Sequence, residues 1–224
     1  RWLAKLDSEN HYILYTDKPL TGGLVDLATE QYFSVQEDTE LVKYDKDGYQ
    51  VLKSPFNNFK AKVLNWPFDY LWTQGRLSIE MMRRPVDVLF VPAHALPVIH
   101  PKKSIVTIHD VGFKEESRLY DNEDIGPNSK TKRRILNLLA KAVTGGKYRA
   151  STIDYHSWSA EYALKHAARI ITVSNFSKSE LLKLNPESEP KIKVIYNSYN
   201  KFLYKTITDT EAINNVIKKY GIEK

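Results

Sequence analysis

The chain has 224 residues, 42% hydrophobic and 27% charged, which is ordinary for a globular protein and enough to build one large α/β domain or two small ones. It has no cysteine, which excludes disulfides, cysteine nucleophiles and cysteine metal sites and fits a cytoplasmic protein, and no apolar run approaches the roughly 20 residues of a spanning helix. A formal charge of +6 points to an anionic partner (a phosphate-bearing substrate, an acidic membrane surface or nucleic acid), although a basic surface kept for solubility explains the same excess.

Trp2, Leu3 and Leu6 have helical spacing, so the chain is expected to open inside a helix, with a turn at Asp7-Ser8-Glu9-Asn10. A strand at Tyr12-Ile13-Leu14-Tyr15 follows. Residues 30–64 hold short β-like runs: Tyr32-Phe33-Ser34-Val35, Tyr49-Gln50-Val51-Leu52 and Ala61-Lys62-Val63-Leu64. Between them Asp45-Lys46-Asp47 has the look of a metal-binding DxD, but Gly48 and the flanking β-like runs read better as a hairpin turn. Residues 66–83 are expected to be helical, with Phe68, Leu71, Trp72, Leu77 and Met81 on one face.

The pattern then changes. Asp87 to Val91, Ser104 to Ile108, Arg169 to Val173 and Lys191 to Ile195 are compact apolar runs without strict alternation, as in parallel strands covered on both faces. Helical stretches at 131–144, 158–167 and Lys178 to Leu184 lie between them. Alternating strands and helices predict a Rossmann-like, doubly wound, mostly parallel α/β sheet. The polar connection 114–130 reads as a mobile loop.

Ligands of such sheets sit beyond the C-terminal ends of the strands. That rule singles out His94, His109-Asp110, Ser174 and Asn197. An imidazole at position 109 is placed to donate to a sugar hydroxyl or a phosphate oxygen, although a histidine satisfied by backbone at a strand end has the same local sequence. Asp110 is placed to orient a loop or cap a helix. Ser174 or Ser177 is placed to cap the next helix, Ser177 with Glu180 matches a capping box, and such a helix start suits a phosphate. His94 could face an acceptor or only its own loop. His156 and His166 flank a helical stretch and are assigned to packing or the surface.

Val91-Pro92-Ala93-His94-Ala95-Leu96-Pro97 with Ile105 to Phe113, then Ala167 to Lys178, then Lys193-Val194-Ile195-Tyr196-Asn197, resemble the signature blocks of family-4 retaining glycosyltransferases of the GT-B fold. The blocks stand in the family's order and cover roughly half of the chain. The resemblance implies transfer of a sugar from a nucleotide-sugar donor to a sugar or lipid-linked acceptor with retention of configuration and without a metal. It makes His109 the catalytic residue, one that positions the sugar and transition state, and makes His94, Asp110, Ser174 and Asn197 substrate contacts. Ser198 stands where the family has glycine, which puts the usual turn after Asn197 in doubt. The resemblance also implies that residues 1–205 form the N-terminal domain without its first strand. Residues 206–224 would then lead to a C-terminal donor domain, supplied by more chain or by a partner, and this portion alone is expected to be inactive.

Residues 130–149 combine Lys130, Lys132, Arg133, Arg134, Lys141, Lys147 and Arg149 with Ile135, Leu136, Leu138, Leu139 and Val143. A basic amphipathic helix of this kind can lie on the inner face of an anionic membrane, but a surface helix packing one apolar stripe on the domain is the preferred reading. A non-catalytic interaction module that keeps the fold is the first rival to the enzyme. A nucleic-acid binder is the second, and no set of base-contacting residues supports it, so no nucleic-acid partner is expected.

Overall fold

A computed structural model describes residues 6–20, 44–52, 58–199 and 206–222, together with positions 3 and 204. The Tyr32 to Val35 run and most of the opening helix lie outside these residues, although Leu3 and Leu6 are helical. The architecture is α/β with parallel sheets. β1 (Tyr12–Thr16) and β2 (Phe59–Val63) form a parallel pair of their own. β3 (Leu89–Val91), β4 (Ser104–Thr107), β5 (Arg169–Thr172) and β6 (Ile192–Val194) form a four-stranded parallel sheet in the order β3-β4-β5-β6.

Between these strands lie α1 (Ser78–Arg83), the short α2 (Gly112–Glu115), α3 (Lys130–Val143), α4 (Thr152–His166) and α5 (Asn175–Leu184). After β6 comes α6 (Thr210–Tyr220), capped by Asp209 and stopped by Gly221 at φ 61°. β1 and β3 each pair on one side only among the described residues.

A doubly wound sheet reverses its strand order at a switch point; among the described residues β3 to β6 step one way, in chain order. Right-handed crossovers then lay their helices on one face. One face lies against the core: Leu89, Val91, Val106, Ile170, Thr172 and Ile192 lie in or beside it with Ala160, Ala163 and Leu164 of α4, Leu181 of α5, and Leu77 and Met81. On the opposite face Phe90 is 53% exposed and Arg169 and Lys193 reach solvent.

The helix expected over 66–83 begins only at residue 73, as a π-helical turn (Thr73–Leu77) that runs into α1. Pro67 removes a backbone donor, and Leu71 has φ 56°, which no helix accommodates. The two indoles take local carbonyls instead: Trp66 Nε1 donates to Tyr70 O and Trp72 Nε1 to Leu64 O, both at 2.9 Å. Gly75 is required here, since a Cβ would stand 2.6 Å from the Trp66 ring. Phe68 is left 50% exposed rather than on a buried face.

Other boundaries shift less. Of Tyr49 to Leu52 only Gln50 makes bridges, to Tyr44 and Ala61. Asp45–Tyr49 is the expected turn, with Gly48 at φ 78° and Asp45 Oδ1 accepting from Asp47 N and Tyr49 N. Residues 114–130 hold a 3₁₀ turn (Ser117–Leu119) and a bridge from Asp124 to Ser151, more order than their polarity suggested.

Candidate functional site

The C-terminal edge of the four-stranded sheet is built from loops that continue its ladder. His94 N donates to Thr107 O, Ile108 N to Ile171 O, and Ile195 N to Thr172 O. Each strand therefore delivers its next residues to one edge. Two tight turns follow β3, where Ala95 N donates to Ala93 O and Leu96 N to His94 O. They hold His94 at φ 26°, a region that costs a non-glycine residue about 1–3 kcal/mol.

Three imidazoles meet at this edge. The His94 ring lies 5.9 Å from that of His109 and 6.2 Å from that of His156, and Phe113 packs 5.6 Å from His156. His156 belongs to the second turn of α4 and joins this edge, rather than serving only packing or the surface as its local spacing predicts. The signal was present but depended on a boundary. α4 crosses from the end of β4 back to the start of β5, so its first turns must lie at the C-terminal edge. A helix begun at residue 158 hides this; the observed start at Thr152 reveals it. His166, at the other end of α4, lies with Tyr162 and His100 at the opposite edge.

His109 is exposed, and its Nε2 stands 3.2 Å from Pro92 O. A carbonyl can only accept, so that contact places the proton on Nε2 and leaves Nδ1 of the neutral ring as an acceptor. In that tautomer the Nδ1 lone pair is the side of the ring open to a donor. Asp110 Oδ1 accepts from Gly112 N at 2.9 Å and starts α2, the loop-orienting role.

Burial holds the His94 imidazole below its usual range, with Asp110 opposing and His156 and His109 adding to the depression. His156 is lowered by burial too, again opposed by Asp110. The His94 Nδ1 is buried and has no hydrogen-bond partner. The cluster therefore sets two half-buried imidazoles, in which burial disfavours the charged form, beside the exposed His109 and Asp110.

The serines are engaged structurally. Ser174 is the N-cap of α5 and accepts from Ser177 N at 3.0 Å. The matched capping box is thus three residues late: Ser177 occupies N3, and Glu180 pairs with Lys183. Ser177 Oγ donates to His109 O at 2.9 Å, which ties the start of α5 to the histidine loop. Asn197 and Ser198 are exposed beyond β6, and Ser198 has no positive φ, so the glycine-type turn is absent. Asn175 Nδ2 donates to Tyr196 OH at 3.0 Å.

Among the described residues no group of three or more His, Asp or Glu is arranged to hold a metal ion. Comparison with known protein families, curated proteins and solved structures gives no match.

Proposed function

We propose that this chain contributes the acceptor-side, Rossmann-like domain of a GT-B sugar transferase that uses a nucleotide-sugar donor and retains configuration. The observation that carries this reading is the meeting of His94 and His109, from two of the signature-like blocks, at one sheet edge, with the third tied in through Ser177. In this role His109 Nδ1 accepts from a hydroxyl of the bound sugar and fixes its orientation. The opening turn of α5 offers partial positive charge to a phosphate. His94 and His156, in which burial disfavours the charged form, line the same edge beside it.

The test is sugar transfer or release by the intact protein over a panel of uridine-, guanosine- and adenosine-diphosphate hexoses, with His109→Ala beside wild type. Loss of one group aimed at the transition state lowers turnover by about 10²–10³. The melting temperature should hold, because His109 is exposed. Near-normal turnover in the variant removes the catalytic role. A collapse in melting temperature makes His109 a structural residue.

A further inference from the structure

α3 is unlike the other long helices of the sheet region: none of its described side chains is buried. Its inner side is held by a few contacts at one flank. Arg133 Nη1 meets Asp124 Oδ2 at 3.2 Å, Asn137 Oδ1 accepts from Ala150 N at 2.8 Å, and Leu136 lies over Gly126. The stripe that should pack on the domain points the other way. Ile135, Leu138 and Leu139 are 53%, 67% and 57% exposed, and Ala142 continues the row. These positions follow helical spacing and form one outward strip opposite the docked side.

The strip has a definite electrical border. Lys130–Val143 contains no Asp or Glu. At about 100° per residue, Lys130, Arg134 and Lys141 fall along one margin of the strip and Lys132 along the other. These four cations are exposed, and none has a hydrogen-bond or ion-pair partner among the described residues. α6 gives a comparison within the same molecule. It too exposes an apolar row, with Val216 and Tyr220 at 50% and 66%, but carries Glu211 among its charges.

We propose that α3 docks on an anionic phospholipid bilayer, laying Ile135, Leu138 and Leu139 into the headgroup–acyl boundary while Lys130, Lys132, Arg134 and Lys141 meet lipid phosphates. An apolar strip between cationic margins is what an in-plane interfacial helix requires. Fourteen residues give a contact about 21 Å long. The inference rests on α3 alone and stands whether or not the histidine edge handles sugars.

The experiment is co-sedimentation of the intact protein with vesicles of phosphatidylcholine, with and without phosphatidylglycerol. Binding is expected only with phosphatidylglycerol and is expected to fade toward ~1 M salt, where screening reaches about 3 Å. Lys132→Gln, Arg134→Gln and Lys141→Gln should each weaken partitioning about fivefold. Leu138→Gln with Leu139→Gln should abolish it without unfolding, since both side chains are already in solvent. The chain has no native cysteine, so Leu139→Cys carrying an environment-sensitive dye reports insertion directly, as a blue shift on anionic vesicles. Equal binding to phosphatidylcholine alone, an unshifted dye, or full binding by the double Leu variant overturns the proposal. So does concentration-dependent dimerisation that the Leu variant abolishes without any vesicle binding, which would make the strip a protein interface.

Discussion

The strained backbone at His94 and its buried imidazole make separate demands on the protein. Replacement by alanine keeps the left-handed backbone, whereas glycine adopts it freely. His94→Gly should therefore be the more stable of the two by about 1–2 kcal/mol, read from urea unfolding. The imidazoles themselves act through pH. His94 and His156 both have folded pKa values below 6.5, so as pH falls the unfolded chain takes up protons first. This pH-linked penalty is absent well above 6.5, and stability is lost as pH falls through that value. Melts at a series of pH values should show this loss, and His94→Gln with His156→Gln should flatten the curve. At this scale His94, His109 and Asp110 were legible because a strand end fixes where the following residue lies. His156 was not, because its place depends on where α4 starts. That start is set by Ser151 and by bridges to residues 123 and 124, which local spacing does not display.

Elements are joined by charge as well as by the core. Glu80 of α1 is buried against Lys62 of β2, with Arg76 3.3 Å from its other oxygen. Burial pushes the Glu80 carboxyl up, but Lys62 and then Arg76 outweigh it and hold it low. Glu80→Gln leaves Lys62 buried without its counter-charge, and a broken buried pair costs about 3–5 kcal/mol. Lys62→Met with Glu80→Leu should recover most of that loss in chemical denaturation. Glu161 of α4 does similar work at the surface, bridging Lys114 of α2 at 2.8 Å and Lys147 at 2.6 Å. Burial raises its pKa, yet hydrogen bonds from Lys114, Lys147 and Tyr148 bring it down to about 2. Its contribution is thus complete above 4.5 and disappears as pH falls from there toward 2. Glu161→Gln should remove that part of the acid sensitivity. Strands β3 to β6 were legible because short β-branched runs have few other uses. The helix at 66–83 was not, because the Trp66 and Trp72 indoles reach carbonyls that no helical pattern encodes.

Across the whole molecule, stability is concentrated unevenly. The core joins β3 to β6 with α1, α4 and α5, while α3 and α6 add no buried side chain among the described residues. A chain shortened to Tyr204 should lose little: about 2–4 °C or less in melting temperature, the shift that 1 kcal/mol produces in a protein of this size. Parallel α/β architecture was readable from the alternation of runs. The one-way strand order was not, because no residue pattern states which edge a strand joins. That order has a consequence for biosynthesis. Each strand from β4 onward docks on the strand made just before it, so the sheet can grow in the direction of translation, its open edge always the newest. A nascent chain on the ribosome need not hold an early strand in reserve for a late partner. The long step is β4 to β5, across α2, α3 and α4, where loop closure is slowest. A chain stalled on that step presents the bare edge of β4, and with it the apolar side chains of β3 and β4, to whatever chaperone waits at the exit.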